Sequence, residues 1–279
     1  MRILLTNDDG YKAQGLATLV KMMKKYGEVT VVAPKYPQSG MSCSVPLGLK
    51  PIAAKDLGVR DGVRWAYLDA TPSSCVKYAL DVLMLGNEPD IVISGINHGS
   101  NAATASSYSG TLGACMEAAI DFIPAVGVSL DFMHHTVDLS AVEKFFPEIL
   151  EQIMSLMDGS YGVYYNVNFP NLPADRIKGV KLCSQGRGHW VREFDPWDEG
   201  YAERHGYDLK KHGYEHPEVH AEEGEKLYVM AGVFEDAPVN PADADHHAMA
   251  DGWITVSIHN VDSTDRVQLA RSQALNRTF

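Results

Sequence analysis

The first half of the chain alternates between two hydrophobic patterns, one typical of buried strands and one typical of amphipathic helices. An apolar run at residues 3–5 and the β-branched run EVTVVAP at 28–34 each predict a buried strand. Between them, apolar residues recur at i, i+3, i+4 and i+7, which predicts a helix from about Ala13 to Tyr26. These apolar residues are Leu16, Leu19, Val20 and Met23. A strand, a helix and a second strand in this order predict a βαβ unit within a parallel sheet.

The same alternation continues through the first 170 residues. The predicted strands are 90–95 (DIVISG), 125–130 (AVGVSL) and 163–169 (VYYNVNF). The predicted helices are 111–122 and 140–157, and Pro147 should kink or break the second of them. Neither G-x-G-x-x-G nor G-x-x-x-x-G-K-[ST] occurs, so a dinucleotide fingerprint and a P-loop are both excluded. The pattern predicts an α/β fold, a doubly wound three-layer sandwich.

The periodicity stops after residue 184. The segment from Gln185 to about Leu227 is rich in aromatic and charged residues, and we interpret it as a protruding excursion such as a hairpin arm. Its stretch KHGYEHPEVH contains three histidines, but Pro217 interrupts any helix that would align them, so zinc binding is not predicted there. These histidines are His212, His216 and His220. The run DGWITVSIHN at 251–260 predicts a return to a strand.

The tail from Asp262 is typical of a short capped helix. Its apolar residues are too few to fold alone, so we expect it to dock on a partner subunit in a homodimer or homotetramer. These apolar residues are Val267, Ala270 and Leu275. We expect one domain, with a core at about 1–184 and 228–260, an arm at 185–227 and a tail helix for oligomerisation at 261–279.

Composition narrows the classes of partner. The chain is 45% hydrophobic and 22% charged, as in ordinary globular proteins. Its 24 Lys and Arg against 36 Asp and Glu give a formal net charge of -12, which argues against a nucleic acid polymer or an anionic membrane. A small phosphorylated ligand stays possible because local charges dominate within a Debye length of roughly 8 Å. No apolar run is long enough for a signal peptide or a membrane span, so we expect a cytoplasmic location.

Three polar loops follow predicted strands, and their side chains offer oxygen donors. NDDG follows the first strand, KYPQSGMSCS the second, and INHGSNAATASSYSGT the third. The donors are Asp8, Asp9, Ser39, Asn97, Ser109 and Thr111. Oxygen donors suit Mg²⁺ or Mn²⁺, and a cation would relieve the repulsion between the two adjacent carboxylates. The alternative is that NDDG is an ordinary turn that caps the next helix.

The segment YSGT at 108–111 opens a predicted helix. Its backbone N–H groups and hydroxyls would meet an anion at the positive end of the helix dipole. Gly110 lacks the Cβ that would keep a ligand away. The alternative is a common Ser or Thr helix cap beside a tight turn.

Four ordered blocks resemble the signature blocks of the SurE family, the survival-protein nucleotidases: ILLTNDDGYKAQGL, VTVVAPKYPQSGMS, ISGINHGSN and YSGTLGACMEAA. YYNVNFP, SQGRGHW and DADHHAMADGWITVS extend the resemblance over essentially the whole chain. The resemblance implies a Rossmann-like core, C-terminal elements exchanged between subunits, and a metal-dependent phosphatase of nucleoside 5′- or 3′-monophosphates. It also implies one divalent cation per subunit, Mg²⁺ or Mn²⁺. Its metal ligands fall on Asp8, Asp9, Ser39 and Asn97, and its phosphate site on Asn97, Ser109, Gly110 and Thr111.

The second block departs from the family pattern. Lys35 and Tyr36 stand where Asp-Arg is common, and Cys43 stands where Asn is frequent. These positions flank the proposed ligands. They therefore leave open which nucleotide base is preferred, but they do not change the expected reaction.

The main hypothesis is hydrolysis by water, with Asp8 or Asp9 as the catalytic group that accepts the proton of the water. The residues themselves leave two other functions open. A phosphoaspartyl phosphatase would also place Asp after the first strand, but it needs Asp-x-Asp spacing. A non-catalytic nucleotide sensor could keep every ligand without turnover.

Overall fold

The computed structural model describes residues 1–48, 50–132, 138–205 and 221–276. Its strands are β1 (Arg2–Thr6), β2 (Glu28–Pro34), β3 (Ala54–Arg60), β4 (Val63–Leu68), β5 (Ile91–His98), β6 (Ala125–Leu130), β7 (Val163–Phe169), β8 (Val180–Leu182), β9 (Gly188–Val191), β10 (Phe194–Pro196), β11 (Tyr228–Met230), β12 (Val233–Asp236) and β13 (Ile254–Asn260). Its helices are α1 (Gln14–Met23), α2 (Pro72–Tyr78), α3 (Gly110–Ile120), α4 (Ser140–Leu156), α5 (Tyr201–Arg204), α6 (Asp245–Ala250) and α7 (Arg266–Arg271). The central sheet has the order β3-β4-β2-β1-β5-β6-β7-β13-β8.

Both faces of this sheet are buried, because apolar residues occupy successive positions along its strands. Ile3 and Leu5 of β1 pack on one side with α1 and α4, around Phe146. Leu4 points to the opposite side and packs with α2 and α3, around Leu112. Since neighbouring side chains in a strand point to opposite faces, an unbroken apolar run requires helices on both. The predicted doubly wound three-layer α/β fold is confirmed.

The strand order reverses at β1. β2 lies parallel to it on one side and β5 lies parallel to it on the other. In doubly wound sheets, ligands bind in the crevice outside the carboxyl ends of the strands at such a switch point. The loops that follow β1, β2 and β5 therefore meet in one place.

Several predicted boundaries move in the structure. β2, β6 and β7 have the predicted bounds, whereas α1 is shorter than the predicted helix from Ala13 to Tyr26. We predicted a kink or a break at Pro147, and the break is wrong, since α4 runs through that residue. Its apolar face, including Phe146 and Leu150, is buried against the sheet, and this packing offsets the hydrogen bond that proline cannot donate. β5 continues to His98 rather than ending at residue 95.

Residues 45–85 carry elements for which the sequence made no prediction. β3 and β4 form an antiparallel hairpin, and β4 extends the sheet beside β2. Six of the seven residues of β3 are exposed, so this edge strand lacks the alternation that identifies a half-buried strand. α2 begins after Thr71, whose hydroxyl oxygen accepts a hydrogen bond from the Ser74 N–H.

The excursion is a long hairpin that reaches beyond its expected end. β9 pairs with β12, and β10 pairs with β11, all antiparallel. Residues 228–236, expected in the core, therefore pair within the excursion. We call the described residues of this hairpin, 188–205 and 221–236, the arm. The histidines at 212, 216 and 220 lie outside the described residues.

The tail helix α7 has no buried residue in this single chain. Val267 is 60% exposed and Leu269 is 50% exposed. The assembly through this tail stays a prediction. Within the described ranges, no helix is both long and apolar enough to cross a membrane.

Candidate metal and phosphate site

Asp8 and Asp9 lie in the turn that follows β1. Asn7 Nδ2 donates to the Gly10 carbonyl at 3.0 Å, and Gly10 takes a φ of 95°, a backbone conformation that favours glycine. Asp8 is 4% exposed, and the Asp9 side chain is 18% exposed. NDDG is thus a tight turn, and this turn also places both carboxylates at the carboxyl end of β1.

The first turn of α3 touches Asp8 directly. The Thr111 hydroxyl donates to Asp8 Oδ1 at 2.6 Å, the short distance of a hydrogen bond to a carboxylate. Gly110 packs so closely that a Cβ on it would lie 2.9 Å from Asp8 Cβ. Ser109 is the helix cap, and its Oγ accepts from the Leu112 N–H at 3.1 Å. The cap interpretation of YSGT is confirmed, and the binding of an anion there stays a prediction.

The loop after β2 reaches the same place through Gln38. The Gln38 N–H donates to the Asp8 carbonyl at 2.7 Å. A Cβ on Gly110 would also lie 3.1 Å from the Gln38 carbonyl oxygen. Ser39, which follows Gln38, is exposed. The second loop is therefore fixed between the turn after β1 and the first turn of α3.

β5 reaches the site through an irregularity near its end. The pairing with β6 shifts between Gly95 and Asn97, so Ile96 joins the core that contains α1, and Asn97 points to the opposite face. Asn97 is 9% exposed, and its Nδ2 donates to the Gly99 carbonyl at 2.8 Å. The next residue, His98, donates its backbone N–H to Asp9 Oδ2 at 3.3 Å.

Burial dominates the electrostatics of the two carboxylates. It raises the pKa of Asp8, and the charge of Asp9 raises it further, while the hydrogen bonds from Thr111 oppose the change. Burial also raises the pKa of Asp9, and the backbone hydrogen bond from His98 opposes it. A buried and a partly buried carboxylate in adjacent positions favour a bound cation, which would stabilise both charges.

The donor chemistry fits a hard divalent cation. Asp8, Asp9, Ser39 and Asn97 all present oxygen, and the first two supply the negative charge that Mg²⁺ or Mn²⁺ requires. The N-terminal turn of α3 adds backbone N–H groups on the side of Asp8. Two carboxylates and the N-terminus of α3 therefore lie side by side.

Three features of the site were missed by sequence reasoning. His98 lies beside Asp9, with Nδ1 3.6 Å from Asp9 Oδ2, and its buried Nε2 has no hydrogen-bond partner among the described residues. Burial lowers the pKa of His98, against the effect of the Asp8 charge. Only its place in INHG, next to Asn97, could have indicated it.

The other two features hold the long loop between β5 and α3. Asn168 Oδ1 accepts from the Asn101 N–H at 2.8 Å, and Asn166 Nδ2 donates to the Asn101 carbonyl at 2.9 Å. Asp245, which is fully buried, accepts from the backbone N–H groups of Ala103 and Gly186 at 3.0 and 2.9 Å. In the sequence, the only indication of these contacts is that polar residues occur inside the strand segment VYYNVNF and in DADHH.

The fold and the site together define a doubly wound α/β protein with one buried and one partly buried carboxylate beside a helix N-terminus at its switch point. The family model described as survival protein SurE matches residues 3–192. The chain belongs to the SurE family, and the resemblance stated from its sequence blocks is confirmed.

Similar proteins match between about two thirds and nearly all of the chain. A protein of Cytophaga hutchinsonii named 5′-nucleotidase SurE is 35% identical, over 99% of this chain and 96% of its own. Another so named, from Syntrophobacter fumaroxidans, is 44% identical over 70% of this chain and 76% of its own. The crystal structure of the SurE protein from Aquifex aeolicus covers 99% of both chains, with a TM-score of 0.74 and 26% identity.

Proposed function

We propose that this protein is a metal-dependent 5′-nucleotidase that hydrolyses nucleoside monophosphates to a nucleoside and phosphate. The observation that carries the proposal is the contact between Asp8 and the first turn of α3. Through the Thr111 hydroxyl at 2.6 Å and the close packing of Gly110, a carboxylate and an anion-binding helix terminus share one position. The relatives named 5′-nucleotidase SurE support the substrate class.

In this proposal, Asp8, Asp9, Ser39 and Asn97 hold one Mg²⁺ or Mn²⁺ ion per subunit. The ion supplies Lewis-acid polarisation of the phosphoryl group and a lowered pKa for bound water. The Thr111 hydroxyl keeps Asp8 in one orientation, and the His98 N–H does the same for Asp9. Each carboxylate is thus positioned before substrate arrives, which lowers the cost of organising the site.

In the proposal, residues of the chain also bind the phosphate and accept the proton of the attacking water. Asn97, Ser109, Gly110 and Thr111 face the phosphate, and negative charge that develops on its oxygens is stabilised by the N-terminus of α3. The attacking water must lose a proton. Asp9, the more accessible of the two carboxylates, accepts it in our scheme.

The proposal also covers the oligomeric state and the position of the phosphate ester on the nucleoside. We propose a homodimer or a homotetramer formed through the exposed tail helix, and activity on 5′-esters with 3′-esters as a second substrate class. No nucleic acid polymer and no membrane is expected as a partner, given the net charge of -12.

The test is phosphate release from a panel of nucleoside 5′- and 3′-monophosphates, with Mn²⁺, with Mg²⁺ and with excess EDTA. Thr111→Val keeps the shape of the side chain but removes the hydrogen bond to Asp8, so turnover should fall roughly tenfold to a hundredfold, the equivalent of about 1.5–3 kcal/mol. Thr255→Val is the matched control, because its buried hydroxyl has no hydrogen-bond partner among the described residues. No release from any nucleotide would leave the nucleotide sensor as the better description.

A phosphoaspartyl mechanism is the competing reaction. It predicts a covalent aspartyl phosphate that acid quenching of the wild-type enzyme would trap with radioactive substrate, and direct attack by water predicts none. The adjacent spacing of Asp8 and Asp9, in place of Asp-x-Asp, favours water.

A further inference from the structure

A second group of metal-binding side chains lies at the base of the arm. Asp236, His246 and His247 each present one ligand atom, and these atoms lie within 4.8 Å of one another. His246 Nε2 is 3.0 Å from Asp236 Oδ1, and His247 Nε2 is 2.6 Å from Asp236 Oδ2. Two imidazoles and one carboxylate are a common protein ligand set for zinc.

The surroundings of His246 favour a metal over a simple hydrogen bond. Its Nδ1 is 3.5 Å from Oδ1 of Asp245, a carboxylate that is fully buried. A proton on Nδ1 would face this carboxylate, and Nε2 would then point a lone pair at Asp236. A cation between Nε2 and Asp236 resolves that conflict. Asp245 lies on the side of the outer nitrogen, where a carboxylate usually supports a histidine ligand, and the buried Nδ1 has no hydrogen-bond partner among the described residues.

The local packing holds His246 in this orientation. A Cβ on Gly186 would lie 2.0 Å from His246 Nδ1, so the imidazole fits only because residue 186 is glycine. The Phe234 ring packs edge-on against the imidazole, with ring centroids 5.7 Å apart. Asn240 Nδ2 also donates to Asp236 Oδ1 at 2.5 Å, which orients the carboxylate.

The dimensions and access suit a small ion. Donors around a tetrahedral zinc lie roughly 3.3 Å apart, from bond lengths of about 2.0–2.2 Å. The separation at His246 needs to widen by about 0.3 Å and the one at His247 by about 0.7 Å, which rotation of the half-exposed His247 and Asp236 side chains can supply. Asp236 and His247 are 47% and 49% exposed, so an ion can enter from solvent.

We propose that Asp236, His246 and His247 bind a zinc-class transition metal ion, separate from the metal of the candidate active site. Water or one further donor completes the coordination. Asp236 ends β12 in the arm, whereas both histidines lie in α6, next to the central sheet. The ion therefore joins the base of the arm to the core and limits the motion of the arm. This proposal does not depend on the proposed nucleotidase activity.

The experiment measures zinc binding to the full-length protein in millimolar Mg²⁺, which occupies the all-oxygen site. Stripped wild type should retain one zinc per chain after desalting, and bound Co²⁺ should show visible bands of a four-coordinate site with nitrogen ligands. His247→Ala changes a half-exposed side chain and should weaken zinc affinity by at least roughly 10–100-fold, the loss that even outer-shell substitutions produce. Asp236→Asn should weaken zinc affinity to a similar extent. His189→Ala, an exposed histidine of the same arm, should bind as wild type does.

A structural readout accompanies the binding assay. Zinc should slow amide hydrogen exchange in β9 and β12 of wild type, and it should have no such effect in His247→Ala. The proposal is overturned if wild type retains no zinc under Mg²⁺, or if His247→Ala binds zinc as wild type does. Loss of zinc in Asp9→Asn but not in His247→Ala would place the ion in the candidate active site, which also overturns it.

Discussion

Replacing either member of the carboxylate pair should separate activity from stability. Asp8→Asn and Asp9→Asn each remove one negative charge from the proposed metal site and keep the size of the side chain. Turnover should fall by orders of magnitude, because metal affinity and metal position both depend on that charge. The asparagine oxygen at position 8 can still accept the Thr111 hydroxyl, so the local packing is kept.

The metal-free fold should gain stability from the same substitutions. Burial raises the pKa of Asp8 from its usual 3.8 to about 7. Ionising this carboxyl beside Asp9 therefore destabilises the metal-free fold, and the two groups share the penalty because their titrations interact. A neutral asparagine avoids most of this penalty. For a chain of this size, a gain of a few kcal/mol raises Tm by several degrees, at roughly 2 °C per kcal/mol.

The pH dependence has a defined sign. A carboxyl whose pKa is higher in the folded than in the unfolded state contributes full stability below pH 3.8, and this contribution is lost as the pH rises through 7. The stability difference between the asparagine variants and wild type should therefore be small near pH 4, grow between pH 4 and 7, and be largest at pH 8.

The assay combines turnover with melting curves in EDTA at pH 4.5 and pH 8. Asp61→Asn is the control, because Asp61 lies in the exposed β3–β4 turn with a φ of 50°, which asparagine tolerates well. It should change neither quantity. Near-normal turnover in both site variants would reduce NDDG to an ordinary turn. A lower Tm for both in EDTA at pH 8 would refute the argument from buried charge.

Three further predictions follow from the site and the tail. Excess EDTA should abolish phosphate release and Mn²⁺ or Mg²⁺ should restore it, with zinc a poor substitute at an all-oxygen site; full turnover in EDTA would contradict the metal requirement. Gly110→Ala should cost about 1–3 kcal/mol of stability and roughly a hundredfold in turnover, measured by melting and phosphate release, because its Cβ would lie 2.9 Å from Asp8 Cβ. Truncation before Asp262 should convert an even-numbered oligomer to monomers in light scattering before it changes the chemistry; a monomeric full-length chain would contradict this.

The elements that sequence reasoning located well are those with local signals. β2, β6 and β7 are largely apolar runs bounded by Pro, Gly or Asp, and both faces of each are covered, so composition alone marks their ends. The candidate ligands were found because they follow such runs. The structure brings Asp8 against Gly110 and Thr111, a contact between residues about 100 positions apart that a strand-by-strand prediction can only imply.

The rest depends on tertiary contacts that leave little local pattern. β3 is an exposed edge strand without alternation, and α4 tolerates Pro147 because its apolar face is packed. The shift in β5 after Gly95 reverses which side chains face α1, and it therefore decides where Asn97 points. Asp245 resembles a surface residue of a polar segment, yet it is fully buried and holds backbone N–H groups of two distant loops.

The strand order also explains which parts of the chain are free to vary. β1 lies between β2 and β5, so their carboxyl ends are neighbours whatever the length of the connection from β2 to β5. A short Gly-Ser insertion between Asp61 and Gly62, at the opposite end of β4, should leave turnover unchanged and lower Tm only slightly, since doubling a loop costs about 0.6 kcal/mol. The same insertion after Gln38 should abolish turnover, because it displaces the segment that binds the Asp8 carbonyl. Phosphate release and melting curves measure both; loss of turnover with the first insertion at unchanged Tm would show that the β3–β4 hairpin belongs to the site.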